Sequence, residues 1–332
     1  MKTASMRDIA KAVGVSAVTV SNAINGKSGM SEKLRKQILE TARDMGYVNL
    51  RASTAFIPRD IGILIPDRYF VPESYYGMFY KTLVQKLKKN GHYSLMELLG
   101  PETEKNLELP DLIRNRHVDG LIMLGETAKE YYREIARCGT PVVFLDFYDD
   151  SCSADSVVGD NTYGCYRLTS HLIREGHTEI GFFGNPHATA SIMDRYLGFY
   201  RAMLKNHLPI RPEWILDDRN DAGLDEDPVL PGRLPQAFVC NCDIAAVRLT
   251  ELLKAKGIRV PEDISVTGFD DHTVGNQPDP PLSTFRPDTE SMAEIAIKKI
   301  TERCDGKTGP FEKTVVSGQP VYRGSDRSRI NI

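Results

Sequence analysis

"VGVSAVTVSNAING", residues 13–26, holds the pattern from which the fold can be inferred. Val20 and Ile24 lie four residues apart, as on one face of a helix, and the residues between them are short and uncharged. Ser16 stands where a helix cap is expected, and Asn25 with the following glycine predicts the end of a helix over 17–24. A helix that offers solvent only short side chains can approach another molecule closely.

The flanking residues predict two more helices. Ser5 and Asp8 match a capping box that opens a helix over about 6–13, and Ser31 can cap a third helix over about 32–45. A three-residue turn joins the first two helices, as a helix-turn-helix motif requires. The expected hydrophobic core of this unit consists of Ile9, Val13, Val15, Val20 and Ile24.

Charge separates the two ends of the chain. Residues 1–59 carry ten Lys or Arg and four Asp or Glu, a net charge of +6, whereas all 332 residues together have a net charge of −3. The remainder is therefore −9. A small basic segment on a large acidic protein fits a polyanionic partner for that segment, and a solvated basic surface is the alternative.

The stretch "RDIAKAVGVSAVTVSNAING…SEKLRKQILETARDMGY" resembles the DNA-binding head of the LacI/GalR family of bacterial transcription regulators. In such heads the second helix enters the major groove. The resemblance implies base contacts by Ala17, Val18 and Asn22. It implies contacts to the DNA backbone by Ser16, Thr19, Ser21, Asn25 and Tyr47.

Asn22 departs from the family, which commonly has Arg at this position. Asn pairs with adenine through two hydrogen bonds, whereas Arg prefers guanine. Ala17 and Val18 can offer only apolar contacts, for instance to a thymine methyl group. We therefore expect an operator sequence that differs from those of Arg-bearing relatives.

Residues 48–59 correspond to the family's hinge in position more than in sequence. Relatives often begin the hinge with Pro-Asn and insert a Leu into the minor groove. Here no Pro follows Tyr47, and Phe56 occupies the expected wedge position. Pro58 would end a short hinge helix, and a plain linker is the alternative.

The remainder, residues 60–332, alternates β-rich runs with helical stretches. The expected strands are 60–66, 92–98, 119–124, 141–146, 156–160, 179–184, 213–218, 236–241 and 263–269. Two consecutive β/α blocks imply an α/β fold with two doubly wound parallel sheets, in lobes of about 60–160 and 161–290, with the C-terminal segment crossing between them. The motifs "REGHTEIGFFG", "VPEDISVTGFDD" and "PPLSTFRPDTESMAEIA" extend the family resemblance and imply a periplasmic-binding-protein-like fold.

A small ligand is expected between the lobes, at the carboxyl ends of the strands. The resemblance implies that Asp146, Arg195 and Asp270 contact it, with carboxylates for ligand hydroxyls and Arg as a charged clamp. Asp67 and Phe147 are added by their strand-end positions. Cys242 occupies a slot in which relatives usually have Asn, and a thiol is a weaker hydrogen-bonding group. Asp243 is expected to cap the next helix.

Residues 217–235, "DDRNDAGLDEDPVLPGRLP", depart from the family, which has a helix here that walls the pocket. Three Pro, two Gly and six acidic residues predict a loop. We therefore expect an unusual effector or a more open cleft.

Enzyme classes find little support in the sequence. "NGKSG" at 25–29 lacks the first Gly of a phosphate loop, and neither His-Glu-x-x-His nor Gly-x-Ser-x-Gly occurs. Six scattered cysteines show no metal or disulfide spacing, which favours a cytoplasmic protein, and no membrane-length apolar run is present. No cofactor or metal is expected.

We therefore expect a repressor that binds pseudo-palindromic operator DNA as a homodimer. A small effector, expected to be a sugar or a sugar derivative, would control its operator affinity. A solute-binding module that acts through a protein partner is the alternative.

Overall fold

The computed structural model describes residues 4–24, 29–45, 47, 56–220, 226–272 and 279–330. The chain divides into two compact units, Met1–Pro58 and Arg59–Ile332. We call the first unit the head and the second the body, and each is described by itself.

The described residues of the head form three helices, α1 (Met6–Val13), α2 (Ala17–Ile24) and α3 (Glu32–Asp44). The capping box at α1 is confirmed, because Ser5 Oγ accepts the Asp8 N–H and the Asp8 carboxylate accepts the Ser5 N–H at 2.8 Å. Gly14 ends α1 with φ of +76°, a conformation that favours glycine. The helix stop expected at Asn25 and Gly26 lies outside the described residues.

The three helices enclose a small hydrophobic core. Val13 and Val15, expected as core residues, are only partly buried and pack against it. Alanines at helix–helix contacts take part instead, because close helix packing leaves little room for larger side chains. The fully buried residues are Ile9, Ala10, Val20, Ala23, Ile24, Ile38 and Ala42.

The first lobe of the body contains a parallel sheet of six strands among the described residues. Its order is β2-β1-β3-β4-β5-β11. The strands are β1 (Asp60–Pro66), β2 (Tyr93–Leu99), β3 (Gly120–Leu124), β4 (Val142–Leu145), β5 (Asp155–Gly159) and β11 (Lys313–Val316). The central strands are almost continuously apolar, as expected for a parallel sheet that is covered on both faces.

The second lobe contains a parallel sheet of four strands among the described residues, in the order β7-β6-β8-β9. The strands are β6 (Ile180–Phe183), β7 (Ile215–Leu216), β8 (Ala237–Cys240) and β9 (Ser265–Thr267). A short antiparallel pair, β10 (Thr284–Arg286) with β12 (Gln319–Val321), adjoins it through a bridge between Thr267 and Ser283.

Helices connect the strands of both lobes. They are α4 (Tyr75–Lys89), α5 (Pro101–Lys105), α6 (Asp111–Arg114), α7 (Lys129–Ile135), α8 (Asn161–Arg174), α9 (Ala190–Lys205), α10 (Asp243–Ala255) and α11 (Thr289–Cys304). After β10 the chain returns to the first lobe, where α11 packs in its hydrophobic core and β11 pairs with β5. The C-terminal segment thus crosses between the lobes.

Two predictions for the body need correction. The strand expected over 213–218 begins as part of a 3-10 helix, Pro212–Trp214, and only two residues of β7 then pair. Pro212 stands at the first position of that helix, where its fixed φ suits a helical turn. Helix α8 was not anticipated, although Asp160 caps it by accepting the Tyr163 N–H. The described parts of 217–235 contain neither a helix nor a strand, as the sequence predicted.

Within the described parts of the chain, no helix has both the length and the apolar character that crossing a bilayer requires.

Candidate DNA-binding surface and ligand cavity

Helix α2 presents the predicted base-reading residues on one face. Ala17 and Val18 lie one turn before Ser21 and Asn22, so the four side chains point to the same side of the helix. Val18 is 68% exposed and the other three are partly buried. The opposite face, with Val20, belongs to the hydrophobic core of the head.

The residues predicted to contact the DNA backbone have different surroundings. Ser16 Oγ accepts the Thr19 N–H at 3.0 Å and lies 2.8 Å from the Thr19 hydroxyl, so it caps α2. Tyr47 packs against the hydrophobic core of the head. Asn25 lies outside the described residues, as do 48–55 of the hinge. Phe56 is exposed.

A cavity of about 350 Å³ lies between the two lobes of the body, at the carboxyl ends of their parallel strands. This volume suits a small molecule. Aromatic side chains from the start of α4 line the first-lobe wall, together with Tyr69 and Asp146. The second-lobe wall carries three of the predicted ligand contacts, namely Arg195, Cys242 and Asp270.

Arg195 is fixed by hydrogen bonds to three groups of the second lobe. Its guanidinium donates to Asn161 Oδ1 at 2.9 Å, to the Asn241 carbonyl at 2.7 Å and to Asp270 Oδ1 at 3.2 Å. The guanidinium carbon also lies 4.0 Å from the ring centre of Phe269, a cation–π distance. Arg195 is therefore held rigidly in the cavity wall.

Asp146 and Asp270 enter the cavity from the two lobes by the same local geometry. Each has a positive φ, +71° and +106°, which Asp tolerates better than most residues. Each backbone N–H still pairs with a neighbouring strand, Asp146 with the Val157 carbonyl and Asp270 with the Phe285 carbonyl, both at 2.8 Å. The backbone remains in the ladder while the carboxylate turns into the cavity.

Both carboxylates are largely buried and shielded from water. Burial raises the pKa of Asp270 to about 7, although the Arg195 charge opposes the rise. Burial also raises the pKa of Asp146, against the opposing effects of Arg195 and of the Tyr76 hydroxyl, which donates to it at 3.0 Å. Both side chains therefore bind a proton more readily than an Asp in water does.

Cys242, rather than Asp243, caps helix α10. The Ala245 N–H donates to Cys242 Sγ at 3.5 Å, and burial raises the pKa of this thiol to about 12. Asp243 lies one position further, inside the helix, where its carboxylate accepts the Thr284 hydroxyl and the His272 N–H, both at 2.6 Å. The expected cap at Asp243 is therefore wrong by one residue.

Asn241 also lines the cavity, beside Cys242. Its amide nitrogen donates to Asp218 at 2.7 Å. Its Oδ1 is buried and has no hydrogen-bond partner among the described residues. A buried polar atom without a partner is costly, so this oxygen is a good candidate to accept a ligand hydroxyl.

Two predicted contacts lie away from the cavity. Asp67 is exposed on a 3-10 helix, Asp67–Tyr69, which brings Tyr69 to the cavity wall instead. Phe147 is buried under the first sheet, where its ring stacks on Phe144 with 4.5 Å between centres. In both cases the chain turns just after the strand, so a strand-end position alone did not determine where the side chain points.

Sequence reasoning missed the tyrosines of the first-lobe wall. Tyr69 stacks on Tyr76 with 5.2 Å between ring centres, and Tyr75 meets Tyr76 edge to face. The run "YYGMFY" at 75–80 signals an aromatic cluster, but it does not show which rings face a cavity. Arg219, paired with Asp218 at 2.7 Å, was also missed.

Comparisons with known proteins match parts of both the head and the body. Residues 5–49 match the family model of bacterial regulatory proteins of the lacI family, and residues 169–325 match the model of a periplasmic binding protein-like domain. The HTH-type transcriptional repressor PurR of Aliivibrio fischeri (strain ATCC 700601 / ES114) is 28% identical over 98% of this chain and 99% of its own length.

Solved structures share the fold. A transcriptional regulator CelR–cellobiose complex has a TM-score of 0.68 and 22% identity, covering 97% of this chain and 99% of its own. The lac repressor dimer bound to operator and an anti-inducer has a TM-score of 0.65 and 20% identity, covering 98% and 100%. The chain belongs to the LacI/GalR family of bacterial regulators, which are DNA-binding transcription regulators and not enzymes.

Proposed function

We propose that this protein is a transcriptional repressor whose affinity for operator DNA is controlled by a small effector bound in the cavity. The exposed face of α2, with Ala17, Val18 and Asn22, reads bases, and Ser16, Thr19, Ser21, Asn25 and Tyr47 contact the DNA backbone. Phe56, in the same proposal, inserts into the minor groove as a wedge. The name of the A. fischeri relative, a transcriptional repressor, supports repression rather than activation.

The effector is a sugar or a sugar derivative. The observation that carries this proposal is the ring of polar groups around Arg195, in which Asp146, Asp270 and Asn241 Oδ1 offer buried acceptors while Arg195 offers donors. A sugar hydroxyl both donates and accepts, and so it satisfies both kinds of group. The CelR relative was solved with cellobiose, which supports a carbohydrate.

The regulator acts as a homodimer in the cytoplasm, where operator DNA is found. One head reads only a half-site, so two heads are needed for a pseudo-palindromic operator. Strand β2 forms the edge of the first-lobe sheet and exposes three large apolar side chains, Tyr93, Met96 and Leu98. Such an edge favours association with another chain, and we assign it to the dimer interface.

The test combines thermal shift with DNA binding. Full-length protein is first screened with mono- and disaccharides, including D-glucose, D-ribose and cellobiose, for a rise in melting temperature. Any sugar that stabilises it is then added to a fluorescence-anisotropy titration of labelled operator, which is selected beforehand from random DNA.

The proposal expects a sugar that changes operator affinity in wild type and does not do so in Arg195→Ala. A sugar that binds without changing operator affinity would favour the alternative, a solute-binding module that acts through a protein partner. Stabilisation by none of the sugars would contradict the assigned effector class.

A further inference from the structure

Glu126 lies in the first lobe, two residues after the end of β3. Gly125 turns the chain there with φ of +92°, and a Cβ on it would meet the rings of Tyr69 and Tyr76 at 3.1 and 3.2 Å. These two rings line the cavity, and the Tyr76 hydroxyl donates to Asp146. The backbone that carries Glu126 is therefore packed directly against the ligand-facing aromatic wall.

The Glu126 carboxylate reaches across the cleft to the second lobe. Its Oε2 accepts the N–H of Ala190, the first residue of α9, at 2.8 Å. Thr189 caps the same helix from within the second lobe by accepting the Ile192 N–H at 3.2 Å. The first turn of α9 is thus capped by both lobes, and a carboxylate is favourable there because helix N-terminal N–H groups lack acceptors.

Helix α9 also carries Arg195, less than two turns after Ala190. Because a helix moves as a rigid element, a shift of its N-terminus moves the guanidinium. Tyr148 of the first lobe also interacts with Asp194 of α9. Burial raises the pKa of Tyr148, and the charge of Asp194 and a side-chain hydrogen bond to it raise this pKa further. The two lobes therefore meet on the helix that supplies the cation of the cavity.

The Glu126 carboxylate is partly removed from water at this contact. Burial raises the pKa of Glu126, and the charges of Asp146 and Asp149 raise it further, whereas the Ala190 N–H and Lys129 oppose the rise. The Ala190 N–H is the largest of the opposing effects. If the lobes separate, the carboxylate exchanges this contact for solvent, so the bond depends on closure.

We propose that Glu126 is a positioning residue: its hydrogen bond to Ala190 holds the two lobes together and sets the position of Arg195 in the closed cavity. This inference rests on the proposed function, in which lobe closure responds to the effector. One continuous path of contacts crosses the cleft. It runs from the ligand-facing rings of Tyr69 and Tyr76 through the turn at Gly125 and Glu126 to the start of α9.

The test is hydrogen exchange resolved to single amides in the full-length protein, without DNA or sugar. The first amide of a helix has no acceptor within the helix, so protection of the Ala190 amide reports on Glu126 specifically. Glu126→Ala is compared with Glu126→Gln, which keeps an acceptor oxygen. The matched control is Glu130→Ala, which removes an exposed glutamate four residues further along.

Exchange at Ala190 should be about tenfold faster in Glu126→Ala than in wild type, as expected for loss of one charge-assisted bond. Glu126→Gln should restore most of the protection, and Glu130→Ala should leave it unchanged. Equal rates at Ala190 in wild type and Glu126→Ala would overturn the proposal.

A second readout separates positioning from a general structural role. Urea unfolding followed by Trp214 fluorescence should show nearly the same midpoint for Glu126→Ala and wild type. A lower midpoint with faster exchange throughout the body would reduce Glu126 to a structural residue and overturn the proposal. Neither readout uses a sugar or an operator, so failure here leaves the proposed function standing, and failure of that function leaves these results unchanged.

Discussion

Replacement of Asp270 by Asn is expected to stabilise the ligand-free protein, and to do so increasingly as the pH rises. Burial raises the pKa of Asp270 to about 7 in the folded protein, whereas Asp in an unfolded chain titrates at about 3.9. The folded state therefore binds this proton more tightly than the unfolded state does. It follows that the wild type loses stability from this group as the pH rises from about 4 to about 7, and loses no more above that range.

The magnitude follows from the difference between the two pKa values. One pKa unit corresponds to about 1.4 kcal/mol, so a shift of roughly three units makes ionised Asp270 cost up to about 4 kcal/mol. Asn cannot ionise, and its side-chain oxygen can still accept from Arg195. The free energy of unfolding of Asp270→Asn minus that of wild type should grow by roughly 3 kcal/mol between pH 5 and pH 8, because carboxyl groups remote from Asp270 titrate in both proteins and cancel.

Urea unfolding at a series of pH values measures this difference. Trp214 is the only tryptophan of the chain and is 1% exposed in the same lobe as Asp270, so its fluorescence reports unfolding of that lobe. Asp150→Asn, at an exposed position, is the matched control and should show no growing difference. A difference that is constant with pH, or that favours wild type at pH 8, would show that ionised Asp270 does not destabilise the folded protein.

Three further predictions concern DNA and effector. DNA affinity should reside in residues 1–59 and fall with salt at a slope near −0.9 per phosphate neutralised; binding that is flat with salt, or that survives deletion of the head, would argue against it. Asn22→Ala should lose roughly 1–3 kcal/mol of binding free energy on the preferred operator and relax the base preference at one position in each half-site. Lys27→Ala should weaken binding to all sequences alike. An unchanged selected motif for Asn22→Ala would show that the recognition face is misassigned. Arg195→Ala should bind operator normally but lose at least about 1–3 kcal/mol of effector affinity, as measured by calorimetry; wild-type affinity for the effector would remove Arg195 from the site.

Local patterns predicted much of the fold. The caps at Ser5 and Ser16 and the apolar spacing of α2 depend on residues within one or two turns, so the sequence contains all the information needed. Asp146 and Asp270 were implied by the family resemblance, and their strand-end positions agree with it, because carboxyl ends of parallel strands meet at one edge of each sheet. Arg195 came from the family resemblance rather than from any local pattern.

Features that depend on tertiary geometry could not be read in the same way. Asp67 and Tyr69 are two residues apart, and only the 3-10 turn after β1 decides that Tyr69 faces the cavity while Asp67 faces solvent. A one-residue difference in where α10 begins makes Cys242, and not Asp243, the cap of this helix. The contact of Glu126 with α9 joins residues 64 positions apart, and no sequence spacing predicts it.

Selection of binding sites from random DNA by the full-length protein is the decisive experiment on whether it is a sequence-specific regulator. We expect a pseudo-palindromic motif with two half-sites about one helical turn apart, bound by a dimer and altered at one position of each half-site in Asn22→Ala. Enrichment of no sequence, or tight binding of a single half-site by a monomer, would contradict this expectation.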